Sequence, residues 1–275
     1  MSFLVKIKNA DVYVGGNKVL KSLTWSMGEK ENWAIIGNNG SGKTTFMKLI
    51  FGELIPVYGG EVQWFGSKER IPLAEVRGKI GYVSAEYQTG YDRPALGWEV
   101  VASGHFSSIG LHEEVTENQK ETTFNSMDFL GIGYLSQTPY HQMSYGEARR
   151  VLLARAMVHS NRLMILDEPC AGLDIPTREN FLESLEKLSR KRTRMVYVTH
   201  RIEEIMPCFT HVLYLKNGKI FKQGRKEVLM NSKTLSNALD YPLTIQEKSN
   251  RYYARRVANR SIPASVTQGS KDQYP

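Results

Sequence analysis

Hydrophobic positions along this chain change period several times, and each change marks an element. Val5 and Ile7, then Val12 and Val14, alternate with polar residues as half-buried strands do, and Gly15-Gly16-Asn17 marks a turn. Residues 3–36 therefore read as short strands, ending in Asn32-Trp33-Ala34-Ile35-Ile36, a run apolar enough for a buried strand. From Thr44 to Phe51 the apolar residues Phe46, Met47, Leu49 and Ile50 fall at helical spacing. Gly59-Gly60 turns into a strand at Glu61-Val62-Gln63-Trp64-Phe65, and Ile80-Gly81-Tyr82-Val83-Ser84 predicts another. Between about 90 and 158 the pattern is helical and irregular by turns, without strand alternation. The run Leu163-Met164-Ile165-Leu166 then ends in Asp167-Glu168. A helix over 177–189 follows, and the strand Met195-Val196-Tyr197-Val198-Thr199 ends at His200. Two further strand runs, 211–215 and 219–221, flank Asn217-Gly218, a strong hairpin signal. Strands alternating with helices predict an α/β fold, a parallel sheet with a helical insertion. No internal repeat is present, so one such unit is expected.

Beyond about residue 244 the composition shifts. Arg251, Arg255, Arg256 and Arg260 surround Tyr252 and Tyr253, and roughly the last ten residues are expected to be disordered. Of the 275 residues, 41% are hydrophobic and 23% charged, the balance of a globular chain able to bury a core. No apolar run approaches the ~18 residues a membrane-spanning helix needs, so a membrane role would require a separate chain. Met1-Ser2-Phe3-Leu4-Val5-Lys6-Ile7 alternates like a strand and lacks a signal peptide's apolar run. Cys170 and Cys208 form neither a disulfide framework nor a metal spacing, as expected of thiols in a reducing cytosol. The net charge of +8 points to an anionic partner: phosphates, nucleic acid or a lipid surface. Part of it, Arg190-Lys191-Arg192-Thr193-Arg194, reads as a solvated helix end.

Gly37-Asn38-Asn39-Gly40-Ser41-Gly42-Lys43-Thr44 matches the phosphate-binding P-loop pattern in full, between a strand and a helix. Glycines let successive N–H groups point inward at a phosphate, and the following helix presents its positive end. Lys43 is placed to reach the terminal phosphates and Thr44 to ligate Mg²⁺. The apolar run ending in Asp167-Glu168 has the form of a Walker B strand. Asp167 suits the metal shell, and Glu168 suits polarising an attacking water. Ser144-Tyr145-Gly146-Glu147 opens a helix as a capping box, and a serine-capped, glycine-containing helix start is itself an anion site, with Arg149 and Arg150 nearby.

These motifs, with Ala171-Gly172-Leu173-Asp174 and His200, occur in the order of the ATP-binding cassette (ABC) ATPase family, and residues 3 to about 228 resemble it. The resemblance implies a P-loop NTPase with a RecA-like core, an antiparallel β-subdomain and an inserted helical subdomain, about 90–158, carrying the signature. Residues 1–228 would form the cassette and 229–275 a basic C-terminal extension. It further implies ATP bound by Tyr13, which would stack on adenine, and by Gly37, Asn38, Asn39, Gly40, Ser41, Gly42, Lys43, Thr44 and Thr45. Mg²⁺ would sit on Thr44 and Asp167, with catalysis by Glu168, His200 and Lys43. Two cassettes would pack head to tail, with Ser144, Tyr145, Gly146 and Glu147 of one facing ATP on the other and Asp174 at the seam. His105, His112 and His141 read as surface or packing residues.

The chain departs from the family where a glutamine follows the strand 80–84: Ala85 stands there, and Gln88 is the nearest candidate for that role. Met143, Tyr145 and Glu147 replace the commoner signature residues but leave Ser144 and Gly146 in place. Residues 103–111 are similar to a ModF-like subgroup. Two functions stay open. One is the ATPase subunit of an ABC transporter, paired as a homodimer or with another cassette and docked on a permease at the cytoplasmic membrane face. The other is a soluble cytoplasmic ABC ATPase acting on nucleic acid or as a switch, suggested by Ala85 and the basic, tyrosine-bearing tail. The stretch from Lys43 to Asp167 is too short for the long coiled coil of repair ATPases.

Overall fold

The computed structural model describes residues 3–67, 69, 71–84, 94–158, 161–191 and 193–257. It opens with two long strands, β1 (Phe3–Val14) and β2 (Asn17–Gly28), paired antiparallel. The first residues were expected to be several short strands. The register instead shifts between Ile7 and Ala10, and Asn9 takes a φ of 44°. Such a bulge breaks the period-two pattern without ending the strand. The chain continues through β3 (Trp33–Ile36), α1 (Lys43–Phe51), β4 (Glu61–Trp64), α2 (Leu73–Gly78) and β5 (Ile80–Val83). Strand β4 adds to the far side of β1, with Val5 opposite Trp64, and closes a three-stranded antiparallel sheet.

A helical layer follows: α3 (Gly97–Ala102), α4 (Glu117–Phe129) and α5 (Tyr145–Met157). Sequence chemistry sets the starts of the last two. Thr116 accepts the Gln119 N–H at the head of α4, and Ser144 does the same for Glu147 at the head of α5. Next come β6 (Leu163–Asp167), α6 (Ile175–Ser189), β7 (Arg194–Thr199), β8 (His211–Lys216) and β9 (Lys219–Arg225). The six-stranded sheet has the order β5-β6-β7-β3-β8-β9 and is parallel except at edge strand β9. The β8–β9 turn is made by Asn217 (φ 52°) and Gly218 (φ 76°), two left-handed residues as a type I′ hairpin needs.

Strands β3 and β6 are buried along their whole length, because the sheet is covered on both faces. Side-chain alternation divides the core in two. Ala34, Ile36, Leu166, Tyr197 and Tyr214 face the side packed by the helical layer and α6. Ile35, Ile165, Val198 and Leu213 face Phe46 of α1 and the antiparallel sheet. The loop 37–42 follows β3, which contributes Ala34 and Ile36 to one core and Ile35 to the other.

The chain ends in α7 (Lys226–Leu229), α8 (Ser232–Leu239), β10 (Leu243–Lys248) and β11 (Arg251–Arg256). The basic stretch past 244, read as an extension running into disorder, folds through residue 256 as a hairpin. Ser249 (φ 52°) and Asn250 (φ 59°) turn it. Tyr252 is buried in the core beneath it rather than offered to solvent. Residues 258–275, with Arg260, lie outside the described residues. Among the described residues no helix is long and apolar enough to cross a membrane.

Candidate active site

Three parallel strands, β3, β6 and β7, end beside one another, and each delivers part of the site. Past β3 the chain loops through Gly37 to Gly42 into α1. Gly42 caps the helix with φ 101°, a conformation costly for any side-chain-bearing residue, and makes no side-chain cap. Among the described residues nothing accepts the N–H groups of the first turn, at Lys43, Thr44 and Thr45, which suits them to an external acceptor, and the helix dipole favours an anion. Lys43 is buried, and its ammonium donates to the Gly37 carbonyl at 2.9 Å and the Asn38 carbonyl at 3.1 Å. The buried Ser41 hydroxyl has no hydrogen-bond partner among the described residues, as suits a cradle built for a polar guest. Asn38 turns outward and donates to the Leu239 carbonyl at the end of α8.

Strand β6 brings Asp167 and Glu168. Asp167 is almost fully buried, which pushes its pKa up. A hydrogen bond with Thr44 opposes that rise, and the neighbouring Glu168 charge adds to it. A buried carboxylate beside a threonine hydroxyl is a hard oxygen donor pair, the chemistry that fits Mg²⁺. Glu168 sits at φ 48°, held by its N–H to the Val198 carbonyl. One carboxylate oxygen is 3.7 Å from Lys43 Nζ and the other 3.4 Å from His200 Nδ1. Lys43, Thr44, Asp167, Glu168 and His200, separate in sequence, thus form one cluster.

The signature residues lie on the helical layer. Ser144 donates to Glu147 Oε2 at 2.7 Å, and its backbone N–H donates to the same oxygen. These Ser144 contacts, chiefly its hydroxyl, hold the Glu147 pKa below the usual range. Gly146 is buried where a Cβ would collide with Thr177 of α6, so only glycine lets α5 dock there. Tyr145 faces Gly172 and accepts from Arg149 Nη2 at 2.8 Å. Among the described residues no hydrogen bond or ion pair joins residues 144–147 to the loop 37–45.

Asp174 caps α6, accepting the Thr177 N–H at 2.8 Å, and Thr177 lowers its pKa. Tyr13 is half exposed on β1, opposite Lys18. The next residues of β2, Val19 and Leu20, pack on Gly42, so this sheet abuts the loop 37–42. Gln88, with Ala85 and Glu86, lies outside the described residues. His105 meets the Gln119 carbonyl and His112 the Ile109 carbonyl, away from the cluster, and His141 is exposed. Sequence reasoning missed the polar side chains beneath His200, namely Tyr197, Thr199 and Glu204. Arg149, expected to add positive field at this helix start, is instead fully buried and donates to Tyr145, four residues earlier on the same helix.

Comparison with known proteins bears on the family and the fold. Residues 20–171 match the sequence pattern of the family described as ABC transporter. An uncharacterized ABC transporter ATP-binding protein of Bacillus subtilis, YlmA, is 33% identical over 92% of this chain and 97% of its own. ModF of Escherichia coli, an ABC transporter ATP-binding protein, is 30% identical over 79% of this chain and 46% of its own. Among solved structures, CbiO1 of Clostridium perfringens, part of the transporter complex CbiONQ, superposes with a TM-score of 0.71 at 25% identity. It covers 86% of this chain and 94% of its own.

Proposed function

This chain belongs to the ABC transporter family, and we propose that it binds and hydrolyses ATP as one of a head-to-tail pair of cassettes serving a membrane permease. The observation that carries the reading is the position of Glu168, between the P-loop lysine and His200. The free N–H groups of the first turn of α1 and the Lys43 ammonium bind the phosphates, the lysine exchanging loop carbonyls for phosphate oxygens. Thr44 and Asp167 hold Mg²⁺, which when bound neutralises charge at the terminal phosphates. Glu168 accepts a proton from the attacking water, and His200 holds the carboxylate and senses the terminal phosphate. Tyr13 supplies a face for the base.

Ser144 and Gly146 stand apart from the loop 37–45 of their own chain, so they complete the phosphate site of a second cassette. Asp174, exposed at the head of α6, lies at that seam. Between the nucleotide core and the helical layer is a cleft of about 470 Å³, lined by Phe51, Arg77 and Tyr82 on one side and Phe106 and Arg155 on the other. Because it lies where the two layers meet, we assign it to the permease. Such docking would place the chain at the cytoplasmic membrane face. The nucleic-acid alternative loses part of its support, because Tyr252 is packed inward and Arg251 is paired with Glu179, while Tyr253, Arg255 and Arg256 stay exposed.

The test is a trap. Glu168→Gln is expressed with a tag in its own host, membranes are solubilised in mild detergent, and proteins retained with ATP are identified. A polytopic membrane protein in near-stoichiometric amount supports the reading. Recovery only as a soluble dimer, or with nucleic acid, overturns the permease assignment.

A further inference from the structure

Glu204 lies in the short turn Ile202–Glu204 just past His200 and is 3% exposed. A carboxylate so buried is expensive unless its oxygens are hydrogen-bonded. Its Oε2 accepts from the Thr199 hydroxyl at 2.6 Å and the Tyr197 hydroxyl at 2.9 Å. Among the described residues no cation pairs with it, so this is a hydrogen-bonded anchor rather than a salt bridge. Both donors stand on β7, and Thr199 directly precedes His200. The same Thr199 oxygen accepts the N–H of Arg201, directly after His200, at 2.9 Å. One hydroxyl, fixed by one carboxylate, therefore pins the backbone on both sides of the histidine.

The anchor also reaches the other catalytic strand. The Cys170 thiol, fully buried two residues past Glu168, meets the Tyr197 hydroxyl. Burial pushes that thiol up to about 12, so it stays neutral and serves as packing. On the outer face Arg251 of β11 donates to the Glu203 carbonyl at 3.1 Å and holds Glu179 of α6 at 2.8 Å. The turn carrying His200 is thus gripped from within by Glu204 and from without by Arg251.

We propose that Glu204 is a positioning residue for hydrolysis: by fixing Thr199 and, through it, Arg201, it holds His200 over Glu168. The proposal rests on the reading of Glu168 and His200 given above. Misplacing a reacting group by about 1 Å costs up to roughly 100-fold in rate without changing ground-state contacts to the phosphates.

The full chain is compared with Glu204→Ala, Glu204→Gln, Thr199→Val, His200→Ala and His200→Ala/Glu204→Ala, in steady-state ATP hydrolysis and equilibrium ATP binding. Glu204→Ala is expected to lower kcat by about 10- to 100-fold with ATP affinity kept within about twofold. Glu204→Gln, whose amide oxygen still accepts both hydroxyls, recovers most of the rate. The double variant is no slower than His200→Ala alone, because Glu204 acts through the histidine. Independent, multiplicative losses in the double variant, or a parallel loss of ATP binding, would overturn the proposal. If Glu204→Ala does not fold, Thr199→Val carries the same expectation, and unchanged kcat there refutes it. Wild-type turnover by His200→Ala would instead overturn the assignment of His200 itself. A clear loss in His200→Ala without one in Glu204→Ala refutes the anchor alone.

Discussion

His200 Nδ1 lies 3.4 Å from Glu168 Oε2, although the two residues close different strands. The contact follows from sheet register. Asp167 pairs with Val198, so one residue past Asp167 and two past Val198 leave the sheet together. Glu168 is further held by its own N–H to the Val198 carbonyl. Replacing it by Gln removes the proton acceptor and keeps the side-chain shape. Turnover should fall by about 10²- to 10⁴-fold while ATP affinity is retained, measured by phosphate release and calorimetric titration. Undiminished hydrolysis would remove Glu168 from the reaction.

Lys43 carries the opposite partition. Its ammonium is satisfied by two loop carbonyls and faces Glu168, so it is ready to pass to phosphate oxygens. Lys43→Met should weaken ATP binding by roughly 10- to 100-fold, the range of a lost charge-assisted hydrogen bond. Titration with a non-hydrolysable analogue measures it, and unchanged affinity would contradict the P-loop assignment.

Asp167 predicts a pH effect. Burial raises its pKa above 3.8, so the folded chain holds that proton more tightly than the unfolded chain. Its stabilising contribution is full below 3.8 and is lost as pH rises through the raised value. At neutral pH without metal the buried charge is then a cost. Asp167→Asn should raise the Tm of the metal-free protein at pH 7.5, and the gain should shrink towards pH 4. Mg²⁺ with ATP should raise the Tm of the wild type more than that of the variant. A Tm difference independent of pH would contradict this account.

The motifs were legible because each is a local requirement. A P-loop must curl around a phosphate, and the Ser144–Glu147 box satisfies the head of its own helix. The Asn217-Gly218 turn needs two left-handed residues side by side. What stayed hidden depends on tertiary burial. No local motif marks Glu204, and only the packing of β7 and β11 shows that it is inside. The bulge at Asn9 broke one long strand into apparent fragments. The arginines and tyrosines from 251 read as a basic extension, and only the fold shows that Tyr252 is in the core.

Tyr145, an unusual signature residue, has a readable purpose. It holds Arg149, which is fully buried and whose Nε and Nη1 have no hydrogen-bond partner among the described residues. Tyr145→Phe removes that one acceptor and should destabilise the fold by about 1–3 kcal/mol, read by urea unfolding. Unchanged stability would mean the buried guanidinium finds another acceptor.

The central claim, that two cassettes share each ATP, is tested most directly by the mass of Glu168→Gln in solution with Mg²⁺ and either ATP or ADP. Light scattering on the eluting peak should give twice the monomer mass with ATP and the monomer mass with ADP. Adding Ser144→Arg, which crowds the signature, should return the ATP form to monomer. A Glu168→Gln protein that is saturated with ATP and remains monomeric would contradict the head-to-tail account.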